Sequence, residues 1–145
     1  MDTQDPCAAS EQSPERPGPG RLPSPSRHVR SYLTQGVTVV EIHGAVDIST
    51  AAEIQVHTDA ASAPRGARLI VDLRPVTFLD CATLGLLCRA RGRALESDGR
   101  MALVCVRPWH LRILDILDLA ELFDPCATVR DALPEDTGRV ARRPR

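Results

Sequence analysis

Short runs of apolar residues, most of them β-branched residues or leucine, recur along the middle of the chain and predict a set of β-strands. The runs cover residues 29–33, 37–43, 69–73 and 101–106. The first two are separated by Thr34-Gln-Gly36, a spacing that suits a hairpin. A further apolar run at residues 76–79 follows a break at Arg74-Pro75, and residues 122–124 are predicted to form a short edge strand.

Capping signals and helical spacing of apolar residues predict helices between these strands. The first helix is expected after Gly44, with Ser49 or Thr50 as its N-cap and Glu53 completing a capping box with Thr50. It should run to about Ala61, and its apolar face is predicted from Ala52, Ile54, Val56 and Ala60. Later helices are expected from residues 81–84 to Asp98-Gly99, from Pro108 onward, and over residues 128–133.

The alternation of strands and helices predicts an α/β fold. We expect a mixed, mostly parallel sheet of about four or five strands with an N-terminal hairpin and about four helices packed against it. One domain should cover residues 28–134. Residues 1–27 carry six prolines among polar residues and predict a disordered tail, and residues 135–145 predict a flexible basic tail.

Composition narrows the range of functions. Hydrophobic residues make up 43% and aromatic residues 3% of the chain, so the core must be aliphatic. A formal net charge of −1 argues against a general binder of nucleic acid, because such proteins need an excess of basic groups. The N-terminus lacks the pattern of a signal peptide and no apolar run has the length of a membrane span, which predicts a protein without a membrane partner.

The cysteines give no sign of a disulfide framework or a metal site. There are five, at positions 7, 81, 88, 105 and 126, with no Cys-x-x-Cys and no histidine at metal-ligand spacing. Cys88 and Cys105 lie in apolar runs and are predicted core residues. We therefore expect a cytoplasmic protein with no cofactor and no metal. We also expect it to be a monomer or a weak dimer.

The turn at Asp80-Cys-Ala-Thr83 is the candidate site, because a helix start presents unpaired N–H groups and a partial positive charge. Cys81 is either a thiol activated by the helix N-terminus, against which the charge of Asp80 would act, or a residue that only fits the turn. Thr83 is either a phosphoacceptor or a helix cap. Asp80 is read as a contact or capping carboxylate, since no nucleophile and histidine pair accompanies it. Trp109 is expected in a partner surface or in half-buried packing.

Two segments resemble the signature segments of the STAS domain of bacterial anti-sigma factor antagonists. They are Gly44-Ala-Val-Asp-Ile-Ser-Thr-Ala51 and Leu69-Ile-Val-Asp-Leu-Arg-Pro-Val-Thr-Phe-Leu-Asp-Cys-Ala-Thr-Leu-Gly-Leu-Leu87. The family segments read roughly Gly-Glu-Leu-Asp-x-x-Thr-Ala and Asp-Leu-x-x-Val-x-Phe-Leu-Asp-Ser-Ser-Gly-Leu-Gly. The resemblance covers about residues 29–133 and implies the STAS fold.

The resemblance also implies a binding protein rather than an enzyme. Such antagonists bind an anti-sigma factor, commonly a serine kinase of the histidine-kinase-like ATPase fold, and so release a sigma factor. Phosphorylation of the serine after the signature aspartate breaks the complex by adding roughly two negative charges to a packed contact. The implied partner-binding residues are Asp47, Asp80, Cys81, Ala82, Thr83 and Leu84.

This chain departs from the family at the phosphoacceptor. Cys81 and Ala82 stand where the family has two serines, Thr83 stands in place of glycine, and Ala45 stands in place of glutamate. Cys81 and Thr83 remain the candidate modification sites. Two hypotheses follow: an anti-sigma factor antagonist with a degenerate phospho-switch, or an unphosphorylated STAS scaffold or sensing subunit of a larger complex. A phosphatase or thiol enzyme centred on Cys81 lacks the arginine-lined loop and histidine partner that it would need.

Overall fold

The structure is a computed structural model and describes residues 22–134. Most of the predicted N-terminal tail and all of the predicted C-terminal tail lie outside the described residues. Within the part of that tail that is described, the Ser26 hydroxyl donates a hydrogen bond to Glu53 Oε1 at 2.9 Å. The backbone N–H of Val29 in turn donates to Ser26 Oγ at 3.1 Å. Ser26 is thus hydrogen-bonded both to the first helix and to the first strand.

Four strands form the main sheet, in agreement with the predicted fold class. They are β1 (Val29–Thr34), β2 (Val37–Ile42), β4 (Arg68–Asp72) and β6 (Arg100–Val104). Their order is β1-β2-β4-β6; β1 and β2 form the antiparallel hairpin, and the other neighbouring pairs are parallel. Gln35 and Gly36 both have positive φ, which is typical of a tight hairpin turn. A separate pair of short parallel strands consists of β3 (Gly44–Ala45) and β5 (Val76–Phe78).

Five helices complete the described fold. They are α1 (Ile48–Ser62), α2 (Cys81–Glu96), α3 (Pro108–Ile116), α4 (Ala120–Phe123) and α5 (Val129–Ala132). Each of the first three follows a strand that ends at the same edge of the sheet, because β2, β4 and β6 run parallel. The N-termini of α1, α2 and α3 therefore lie at the carboxyl edge, where parallel sheets ordinarily bind their ligands.

The sheet is covered unequally on its two faces. The main core lies between one face and the helices α1 and α2; Val40, Val71 and Leu103 from the strands pack there with Ile54 and Leu87 from the helices. The opposite face buries a smaller cluster, Val37, Val39, Ile70 and Val104, against Val129, Ala132 and Leu133 in and beside α5. As expected from the composition, both clusters are mainly aliphatic.

Two predictions about helices are wrong. The segment 122–124 does not form a strand: the N–H of Phe123 donates to the carbonyl of Leu119 at 3.0 Å, and α4 ends at Asp124 in a left-handed conformation. The predicted apolar face of α1 is also displaced, because Val56 is exposed and His57 is buried in its place. The His57 ring is accommodated by a hydrogen bond between its Nδ1 and the hydroxyl of Ser31, at 2.6 Å.

Candidate functional site

The short strands β3 and β5 bring the two signature segments together. Gly44 pairs with Val76 and Ala45 with Phe78. The N–H of Val46 then donates to the carbonyl of Phe78 at 2.9 Å. Because these contacts come directly before α1 and α2, they set the N-termini of the two helices beside each other. Residues that lie more than 30 positions apart in the sequence thus share one surface.

Asp47 is the N-cap of α1, so the predicted cap at Ser49 or Thr50 is wrong. Its Oδ1 accepts hydrogen bonds from the N–H of Ser49 at 2.9 Å and from the Ser49 hydroxyl at 2.7 Å. The N–H of Asp47 donates to Thr50 Oγ1 at 3.1 Å, so Thr50 closes the capping box that was predicted for Glu53. The hydroxyl of Ser49, helped by backbone N–H groups, lowers the pKa of the Asp47 carboxyl.

Asp80 is the N-cap of α2, as its position in the turn predicted. Its Oδ1 accepts hydrogen bonds from the N–H of Thr83 at 3.0 Å and from the Thr83 hydroxyl at 2.9 Å. The alternative in which Thr83 is the cap is therefore wrong, because Thr83 is the residue that donates to the cap. Thr83 is only 1% exposed, and the neighbouring Leu84 is also buried in the core.

Five exposed residues at this edge, together with the partly buried Asp80, form what we call the contact surface: Asp47, Ile48, Phe78, Asp80, Cys81 and Ala82. Ile48 is 74% exposed and Phe78 is 52% exposed, although both are large apolar residues. Cys81 is exposed beside them. Of the six residues predicted for partner binding, four lie in this surface, whereas Thr83 and Leu84 lie beneath it and support it.

Sequence reasoning missed Ile48 and Phe78 as site residues. Ile48 occupies the first position of α1, directly after a capping aspartate, where a side chain has no core to enter. The sequence offers this signal only if the cap is placed at Asp47, whereas the sequence prediction placed it at Ser49 or Thr50. Phe78 had no comparable signal, because an aromatic residue in a short apolar run is ordinarily buried.

The start of α3 adds a third exposed apolar residue at the same edge. Pro108 occupies the first turn, as predicted, and Trp109 after it is 61% exposed. Half-buried packing is thus wrong for Trp109 in this structure. Large exposed apolar side chains are typical of surfaces that bind other proteins.

The described cysteines show no disulfide. Cys105 is buried in the core as predicted, and this burial raises the pKa of its thiol to about 11. Cys88 packs only partly buried against the core. Within residues 22–134, no cluster of histidine, cysteine and acidic side chains has the arrangement of a metal site. No helix among the same residues is long and apolar enough to span a membrane.

The sheet order and the two helix starts at its carboxyl edge give a small α/β domain. The STAS domain family model matches residues 28–132, and the chain belongs to the STAS domain family. Anti-sigma factor antagonists, which contain STAS domains, are generally regulatory rather than enzymatic. Comparison with curated protein sequences found no match to the chain.

Solved structures of anti-sigma factor antagonists are similar to this chain. One, from Mycobacterium paratuberculosis, has 26% identity and a TM-score of 0.65, over 72% of this chain and 88% of that one. A STAS domain antagonist from Planctomyces limnophilus has 22% identity and a TM-score of 0.65, over 72% and 93% of the two chains. The Bacillus cell fate determinant SpoIIAA in its phosphorylated form has 20% identity and a TM-score of 0.57, over 72% and 95%. The last two likenesses show the fold alone.

Proposed function

We propose that this STAS domain is an anti-sigma factor antagonist, which binds an anti-sigma factor through the contact surface and thereby releases a sigma factor. The observation that carries the proposal is the pairing of β3 with β5, which sets the starts of α1 and α2 side by side. This pairing presents Ile48, Phe78 and Cys81 together on the surface. The similarity to the Mycobacterium paratuberculosis antagonist supports the same role.

The proposed partner is a serine kinase of the histidine-kinase-like ATPase fold, as the family resemblance implies. In this role the domain acts by binding, without catalysis and without contact to nucleic acid. It would act in the cytoplasm, where sigma factors work, as a monomer or weak dimer that forms a one-to-one complex with its partner.

We further propose that this antagonist lacks the usual phospho-switch. Cys81 replaces the phosphoacceptor serine and Ala82 replaces the next one. Thr83 offers the nearest hydroxyl, but that hydroxyl is buried and donates to Asp80 at 2.9 Å. A kinase would have to open the first turn of α2 to reach it, so the bound state would persist when the partner kinase is active.

A binding measurement with a matched control tests the proposed role. Full-length protein is titrated into candidate histidine-kinase-like anti-sigma factors by isothermal calorimetry, and one-to-one association is expected. Phe78→Ala should weaken the complex about 30-fold, because exposed aromatic residues at interface centres each contribute about 2 kcal/mol or more. Leu95→Ala, at an exposed site near the far end of α2, should leave the affinity unchanged. Equal effects of the two variants, or no association with any candidate, would refute the proposed surface or the proposed role.

A second experiment tests the switch. The protein is incubated with the partner kinase and ATP, and the peptide that contains Cys81 and Thr83 is analysed by mass spectrometry. No phosphate is expected on this peptide. Phosphate on Thr83 would restore the family's ordinary switch at a displaced position.

A scaffold or sensing subunit is the second candidate function, and the absence of an accessible hydroxyl at this turn favours it. Such a subunit would organise other STAS chains into a larger complex and would answer no kinase. Size-exclusion chromatography of the native complex distinguishes the two functions. A multi-subunit assembly with other STAS chains indicates the scaffold, and a one-to-one complex with an anti-sigma factor indicates the antagonist.

A further inference from the structure

The less covered face of the main sheet carries an open depression, far from the contact surface in the fold. It lies at the end of the sheet where β4 and β6 begin, opposite the carboxyl edge, and its volume is about 260 Å³. Its floor is apolar, formed by Val37, Ile70 and Ala102. Ala132 and Pro134, at the end of α5, form one wall.

Two arginines border this depression, one on each of two neighbouring strands. Arg68 begins β4 and Arg100 begins β6, and the two residues are direct partners in the register of these parallel strands. Adjacent strands are about 4.8 Å apart, so the two side chains rise side by side from the same face. Like charges in this arrangement repel and destabilise a sheet.

Nothing in the described part of the chain neutralises this pair. Within residues 22–134, neither guanidinium takes part in an ion pair or a hydrogen bond. The acidic residue nearest to Arg100 in sequence, Asp98, binds Arg65 at 2.7 Å. The two guanidinium groups, which have no partner among residues 22–134, therefore place positive charge beside the apolar floor of the depression.

We propose that this depression binds a small amphiphilic anion, with a carboxylate or phosphate head between Arg68 and Arg100 and a short alkyl body on the floor. The planar guanidinium fork matches the oxygens of either head group in a bidentate way. An eight-carbon chain is therefore chosen to probe this open depression of about 260 Å³. The same contacts would neutralise two repelling charges that have no partner among residues 22–134.

Titration of the ¹⁵N-labelled full-length chain with octanoate and with octyl phosphate tests the proposal. At least one of the two should bind with a Kd on the order of 0.1 to 1 mM, as expected for about ten non-hydrogen atoms. The amide signals of Val37, Ile70 and Ala102 should shift. Octan-1-ol lacks the charge and inorganic phosphate lacks the alkyl body, so each should bind at least about tenfold more weakly.

Single variants identify the arginines as the anion ligands. Arg68→Gln and Arg100→Gln should each weaken binding about tenfold, since a hydrogen bond to a charged group is worth about that factor. Arg112→Gln, at an exposed site on α3, is the matched control and should bind like the original protein. The two test variants should unfold at the same denaturant concentration as the original or at a higher one, because each relieves the repulsion.

Three results would overturn the proposal. One is no binding of either probe at 10 times the expected Kd (about 10 mM); another is binding that is indifferent to both arginine substitutions. The chain's own Glu135 and Asp136, which follow Pro134 in the sequence, are the competing occupant. Binding that appears only in a Glu135→Gln, Asp136→Asn double variant would show that these carboxylates fill the site, and would also overturn it.

Discussion

The hydrogen bonds at the start of α2 predict how strongly Asp80 stabilises the domain. Asp80→Ala removes the N-cap, which typically costs about 1 kcal/mol. It also leaves the buried hydroxyl of Thr83 without its 2.9 Å acceptor, at a cost of about 1–3 kcal/mol. The expected loss of unfolding free energy is therefore about 2–4 kcal/mol, a large share of the roughly 5–15 kcal/mol of an ordinary domain.

A double-mutant cycle separates these two contributions. In a Thr83→Val background the hydroxyl is absent, so Asp80→Ala should cost only the cap, about 1 kcal/mol. The coupling between the two positions should then be about 1–3 kcal/mol. Asp80→Asn is the control. It keeps an acceptor oxygen and caps about as well as aspartate, so it should cost only about 0.3 kcal/mol.

Urea unfolding followed by circular dichroism measures all four members of the cycle. The denaturant dependence of the free energy should remain constant among them, since the same surface is exposed on unfolding. An equal cost of Asp80→Ala in both backgrounds would refute the reasoning. In that case the Thr83 hydroxyl would not depend on Asp80, and the inaccessibility of Thr83 to a kinase would lose its structural basis.

Three other predictions concern stability. Burial lowers the pKa of His57, so the unfolded chain binds more protons than the folded one as the pH falls below about 6.5, and the unfolding free energy falls with it. His57→Gln should reduce this dependence of the unfolding free energy on pH between pH 7 and 5, measured in urea titrations. An unchanged pH dependence would contradict the prediction. Gly99→Ala places a Cβ against the backbone oxygen of Ala67 and should cost about 1–3 kcal/mol or more. Gly92→Ala, in open space on α2, is the control and should stabilise by about 0.5–1 kcal/mol in the same assay. A tolerated Gly99→Ala would contradict the packing. Leu87→Ala should cost about 2–5 kcal/mol in chemical unfolding, because Leu87 is fully buried in the core, and a loss below about 1 kcal/mol would show a core that collapses around the change.

The main sheet could be predicted from the sequence because its strands are β-branched runs bounded by clear breaks. The runs at residues 29–33 and 37–43 lie within one residue of β1 and β2, and those at 69–73 and 101–106 lie within two residues of β4 and β6. Both faces of this sheet bury apolar side chains, so its strands appear in the sequence as short, nearly continuous apolar runs. The fold class follows from this pattern with little help from the loops.

The site was harder to predict, because its geometry depends on contacts between distant segments. The strands β3 and β5 have two and three residues and exist through their pairing with each other, which no local pattern specifies. The face of α1 was misassigned for a related reason. Its small and polar residues give almost no amphipathic signal, and the contact of His57 with Ser31 decides which side is buried.

The cap at Asp47 shows a different limit of the sequence signal. Asp47, Ser49 and Thr50 are all good N-cap residues, and the sequence prediction chose between Ser49 and Thr50 only. The extended backbone of Asp47 and its place at the end of β3 decide it, since the helix can begin only after the chain leaves that pairing. Tertiary structure therefore selects one start from several that the local sequence allows.

Both signature carboxylates bind the starts of their own helices, and this changes what a partner meets at the carboxyl edge. Asp47 and Asp80 each accept hydrogen bonds from the first turn that follows them. Beside them stand Ile48, Phe78 and Cys81, which present apolar surface and a thiol. Substitution of a cap should therefore reduce stability and partner binding together, because it moves the helix start. Substitution of Phe78 should mainly reduce binding, because the residue is 52% exposed and its pairing with β3 is made by the backbone.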